Sequence, residues 1–115
     1  MAKLPPRVRS RGFRVSPRRF DRAVQRIIDG MPEAFQPYMA DIEFITAASS
    51  PEGVLGLYEG AGALGQHGWP ARITIYRHAH EARVRNWRQF VDEVRRTIRH
   101  EVGHHFQMEE DELPY

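Results

Sequence analysis

Apolar residues recur along this chain with two different periods. From Ser16-Pro17 onward, Phe20, Ala23, Val24, Ile27 and Ile28 fall three and four apart, the spacing of a helix buried along one face. Ser16 suits the N-cap and Pro17 the first helical position, while Gly30 and Pro32 end the run. Pro32–Met39 reads as a turn or a short helix. Over residues 41–48 the period drops to two, with Ile42, Phe44 and Thr46 on one face, as in a strand. Residues 49–53, "SSPEG", are loop chemistry, and residues 54–60, "VLGLYEG", are a short extended or turn-like piece. Residues 71–84, "ARITIYRHAHEARV", read as the clearest strand, Ile73, Ile75 and Arg77 alternating with Arg72, Thr74 and Tyr76. The clearest helix runs from Asn86 to about Gln107, free of proline and with Gly103 as its one glycine.

Composition narrows the class. A chain of 115 residues, 41% apolar and 28% charged, fits one soluble domain with a single core. No window approaches 18 consecutive apolar residues, so no membrane span is expected. The absence of cysteine rules out disulfides, thiolate metal sites and a thiol nucleophile. The basic start lacks a secretory pattern, which makes the cytoplasm the expected location. The net charge of +2 conceals an asymmetry: residues 1–20 carry seven Lys/Arg and no acid, while residues 21–115 carry ten basic and fifteen acidic residues. A basic arm over residues 1–16 ahead of a domain over residues 17–115 is the expected division. Such an arm can bind nucleic acid or lie solvated beside its own protein, and the solvated reading is the plainer one. The glycine-rich stretch Gly60–Pro70 lacks the lysine and following helix of a phosphate loop, so it reads as an ordinary surface loop.

The last helix carries the chemistry. On a helical wheel Trp87, Val91, Val94, Ile98 and Val102 form one apolar stripe, with His105 inside it. His100 and His104 lie about 40° apart and on the opposite side, pointing away from the core, and Glu101 falls between pair and stripe. Histidines one turn apart can share one Zn²⁺, and a glutamate beside the first can reach a metal-activated water as general base. A third ligand and an open position complete such a site. The acidic run Glu109-Glu110-Asp111-Glu112 can supply the ligand if the chain turns back after Phe106.

The full stretch "HEVGHHFQMEEDEL" resembles the signature of the small bacterial zincin-like metallopeptidases, HExxHHFGxx(D/E)(D/E)xL. "VLGLYEG", "ARITIYR" and "FVDEVRRTIRHE" are similar to further family segments in the same order, so the likeness covers about residues 17–114. The resemblance implies a compact α+β zincin-like fold: an N-terminal helix, a small twisted mixed sheet and a C-terminal active-site helix. It also implies zinc as cofactor, peptide-bond hydrolysis as the reaction and peptides or proteins as substrates. His100 and His104 are then metal ligands, Glu101 the catalytic base and Glu110 the third ligand. Gln107 stands where the family usually has glycine, which would reverse the chain cheaply. A helix running past that point would make Asp111 a rival to Glu110.

The remaining candidates carry plainer readings. His105 is expected buried and hydrogen-bonded, His78 and His80 solvated at a strand end, and His67 exposed in its loop. Tyr58, Tyr76 and Tyr115 could donate to an oxyanion but have no distinguishing spacing. Trp87, Phe90 and Phe106 read as core. The strand containing Ile73–Tyr76 is the expected partner for strand addition by an extended substrate. Two alternatives stand beside a zinc peptidase: a metal-stabilised binding module without catalysis, and a domain tethered to nucleic acid by its basic arm.

Overall fold

Residues 12–60 and 71–106 are described here from a computed structural model. The first helix, α1 (Pro17–Asp29), begins where the Ser16 hydroxyl accepts the Arg19 amide at 3.2 Å. It buries Phe20, Ala23, Val24 and Ile27, the face its spacing predicts, and stops at Gly30. A short helix, α2 (Gln36–Met39), follows, tied back by the Gln36 side chain, which donates to the carbonyls of Ile28 and Met31. Three strands come next: β1 (Ile42–Ala47), β2 (Gly56–Glu59) and β3 (Ala71–Tyr76). They pair in the order β1-β3-β2, with β1 parallel and β2 antiparallel to β3. The sheet is therefore mixed, and β3 is its middle strand, which accounts for the full burial of Ile73 and Ile75.

Two expectations for this region do not hold. The strand does not continue to residue 84: it ends at Tyr76, and α3 (Arg77–Glu81) begins at once. His78 and His80 are thus helical, and His80 is fully buried rather than solvated at a strand end. Nor can β3 accept an added strand, because both its edges are already paired. Among the described residues the available edges belong to β1 and β2.

The last helix, α4 (Trp87–His105), is started by Asn86, whose side chain accepts the Gln89 amide, while Gln89 accepts the Arg85 amide in return. Phe90, Val94, Ile98 and Val102 are fully buried in the core, Phe90 against Phe13 and Phe20, with Trp87, Val91 and Phe106 packed at the margin of the same core. Ile73 lies opposite Tyr58, and Ile75 opposite Gly56, on the face that meets α4. The segment before α1 docks on this body: Phe13 packs on the core and Val15 is 4% exposed. The result is the expected α+β arrangement, with the long last helix lying on a small mixed sheet. Among the described residues no helix is long and apolar enough to cross a membrane.

Candidate metal centre

The final two turns of α4 place His100 and His104 side by side, with their Nε2 atoms 3.0 Å apart and their rings nearly perpendicular. Two nitrogens bound tetrahedrally to Zn²⁺ at 2.0–2.1 Å would lie about 3.3 Å apart. A small torsional adjustment would therefore let both nitrogens reach one ion. The donor set suits zinc, since two imidazole nitrogens face the same point. Glu101 joins them: one ligand atom from each of the three residues falls within 4.8 Å of the others. His104 is exposed, whereas Glu101 is only 9% exposed. The pair thus opens to solvent while the carboxylate lies under cover. Burial raises the Glu101 pKa above its ordinary value, partly opposed by the attraction of His104 and His100.

That cover comes from β2. A Cβ at Gly56 would meet the Thr97 methyl at 2.8 Å and Glu101 Cγ at 3.2 Å, so the bare glycine lets the strand lie directly on the helix. Two residues along, on the same face of β2, Tyr58 reaches the next turn of α4, where its hydroxyl lies 2.9 Å from His105 Nδ1. Residues alternating along the strand thus meet positions four apart on the helix: Thr97, Glu101 and His105.

His105 is buried and hydrogen-bonded, as its place on the apolar stripe predicts. Among the described residues its Nε2 has no hydrogen bond, and the Asp41 carboxylate stands 3.4 Å away. Two turns back along α4 from His105, at Thr97, the helix meets His80, whose Nδ1 donates to the Tyr76 carbonyl at 2.7 Å. Its Nε2 therefore accepts from the Thr97 hydroxyl at 2.8 Å, the pattern of a neutral ring. Burial lowers the His80 pKa, with the Tyr76 carbonyl opposing. His80 ties α3 to α4 one turn before Glu101.

Next to it, Glu81 is a buried charge the sequence did not advertise. Its Oε2 accepts the Val15 amide at 2.7 Å, its Oε1 lies 2.8 Å from His78 Nδ1, and Arg77 is 3.4 Å away. Burial alone would raise its pKa, but the Val15 amide, His78 and Arg77 together bring it below the ordinary value. Arg77 also donates to the Val15 carbonyl at 3.0 Å, so one carboxylate and one guanidinium hold both polar groups of Val15.

Sequence reasoning missed Gly56, Thr97 and Glu81, and placed His80 in solvent where it is buried. A glycine inside a short apolar strand was the available signal for the first; the other two had none. Glu110, its rival Asp111, Gln107 and His67 lie outside the described residues, as do residues 61–70 of the glycine-rich loop. Tyr115 and most of the basic arm lie outside them too.

Comparison with known proteins agrees with this geometry. The family model described as zincin-like metallopeptidase matches residues 34–115. Among solved structures, a conserved hypothetical protein from T. thermophilus is similar, with 26% identity and a TM-score of 0.59. The alignment covers 80% of this chain and 94% of that one. No match was found among curated proteins. With most of its length matched, including the entire helix that bears His100, Glu101 and His104, the chain belongs to the zincin-like metallopeptidase family.

Proposed function

We propose that this domain is a zinc-dependent peptidase. The observation that carries the reading is the convergence of the His100 and His104 Nε2 atoms, 3.0 Å apart, beside a sheltered Glu101. His100 and His104 would hold the ion, with Glu110 as third ligand on the strength of its place in the family signature. Bound there, Zn²⁺ would supply Lewis acidity, lowering the pKa of water towards about 7 and polarising a carbonyl oxygen.

Glu101 does the proton work. Its carboxylate, made more basic by burial, takes a proton from the attacking water and returns it to the nitrogen that leaves. The cover that β2 provides keeps bulk water from competing for that carboxylate. The same strand supports a role in substrate alignment: it has one edge on β3, lies against α4 at Glu101, and among the described residues leaves its other edge for an extended peptide. Peptides and unfolded protein segments are the corresponding substrates.

The test is metal content and hydrolysis of a mixed peptide library by the zinc-loaded chain, beside Glu101→Gln. Stoichiometric zinc in both, with turnover lost only in the variant, supports the reading. Equal turnover in the two would overturn it. Zinc without turnover in either would favour a binding module.

A further inference from the structure

A second surface lies away from the histidines, along the seam between α1 and the start of α4. Arg19, Arg22 and Arg26 stand on α1 at helical spacing, so their guanidinium groups form a row. That row follows one wall of a shallow cavity of about 270 Å³ whose other wall is Trp87. Arg95 continues the seam one turn past Val91. Arg19, Arg22 and Arg26 are exposed, and among the described residues none of the three pairs with a carboxylate. Arg95 is 3.2 Å from Asp92, the one acid beside the seam in such a pair.

Trp87 sets the character of the site. The Arg19 guanidinium lies 3.7 Å over its ring, while its ring stacks on Phe90 at an interplanar angle of 18°. With neighbours on both sides, the indole is a platform for Arg19 rather than for a base. A guanidinium held against an indole is restrained, with its N–H groups able to bind a phosphate oxygen. The floor offers little else, because Ala23 and Ile27 are 7% and 6% exposed. A peptide would find few apolar contacts there, whereas a phosphodiester strand needs only the charges. The row from Arg19 to Arg26 spans roughly 10 Å of helix, enough for two or three successive phosphates. The chain ahead of α1 continues the positive charge with Lys3, Arg7, Arg9, Arg11 and Arg14.

We infer that the α1/α4 seam binds the sugar-phosphate backbone of nucleic acid, without sequence preference. This surface is separate from the metal centre and does not depend on its chemistry.

The experiment is fluorescence anisotropy of a labelled 20-nucleotide oligo-dT with the full-length chain from 50 to 200 mM salt. It is run beside Arg22→Glu/Arg26→Glu, its milder form Arg22→Gln/Arg26→Gln, and an arm variant with Arg7, Arg9 and Arg11 all changed to Gln. Wild type should lose affinity steeply with salt. The Gln pair should lower the salt slope by about 1.4, weakening binding by about 10-fold at low salt, and the Glu pair by more. Unchanged thermal melting and zinc content establish that the variants are folded. Wild-type affinity in both seam variants, or loss of binding in the arm variant alone, overturns the assignment. So does displacement of the oligonucleotide by poly-glutamate at equal charge, which would mark a site for acidic protein. More than 10-fold discrimination between unrelated oligonucleotide sequences would overturn the backbone-only mode.

Discussion

Gly56 and Glu101 are neighbours through a missing side chain: a Cβ on the glycine would stand 3.2 Å from Glu101 Cγ. The strand can cover the carboxylate only because nothing projects from it there. Gly56→Ala forces apart β2 and α4, and overpacking of this kind costs about 1–3 kcal/mol. Urea denaturation should show that loss, and peptide hydrolysis should fall along with it. A wild-type midpoint would mean the strand does not rest on the helix as described.

Removing the Thr97 hydroxyl takes away the partner of His80 Nε2 in a fully buried position. Thr97→Val should destabilise the domain by about 1–3 kcal/mol, the cost of an unsatisfied buried acceptor. Replacing both residues, as in Thr97→Val with His80→Phe, should recover part of that loss. Equilibrium unfolding of the four forms measures the coupling between them.

His80 also governs stability in mild acid. Its folded pKa lies below the ordinary 6.5, so below that pH the unfolded chain binds the proton more readily. Stability is therefore fully present above pH 6.5 and falls as the pH drops from there towards the folded value. His80→Phe should flatten that part of the profile. A stability curve without slope below pH 6.5 in the wild type would contradict a neutral buried ring.

Glu81 acts in a lower window. Its folded pKa is depressed below the ordinary 4.5, so the stability it contributes is present above 4.5 and is lost as the pH falls through the folded value. Glu81→Gln should remove that dependence and release the segment it clamps. Hydrogen exchange at the Val15 amide, now bonded at 2.7 Å, should accelerate by at least tenfold.

Zinc should raise the melting temperature of the wild type in a concentration-dependent way, and a chelator should reverse it. His104→Ala should abolish the shift. Glu101→Gln should keep it, because Glu101 is assigned proton transfer rather than ligation. A shift that survives in His104→Ala would place the ion elsewhere.

The parts legible in the sequence were those with strong periodicity. The helical phase of Val94, Ile98 and Val102 placed His105 in the core and His100 with His104 outside it, and the structure has them so. The Ser16 and Asn86 caps likewise had local chemical signals. The switch from β3 to α3 had none. Tyr76, at the N-cap, makes no side-chain capping bond, and the alternation of Arg72 through Arg77 runs on without a break. Tertiary bonds hold that short helix, His80 to Thr97 and Glu81 to Val15, and partners 17 and 66 residues away leave no local trace. The middle position of β3 was illegible for a similar reason, since pairing order is a property of the whole sheet.

The helix that carries His100 and His104 is anchored by Phe90, Val94, Ile98 and Val102 on its opposite face, all fully buried. Its stability is therefore drawn from hydrocarbon, and an ion would arrive at a scaffold already folded. Unlike a zinc finger, which collapses when stripped, this domain should shed and regain its ion with the backbone unmoved. Metal supply would then set when it works, and would add stability to a fold that stands without it.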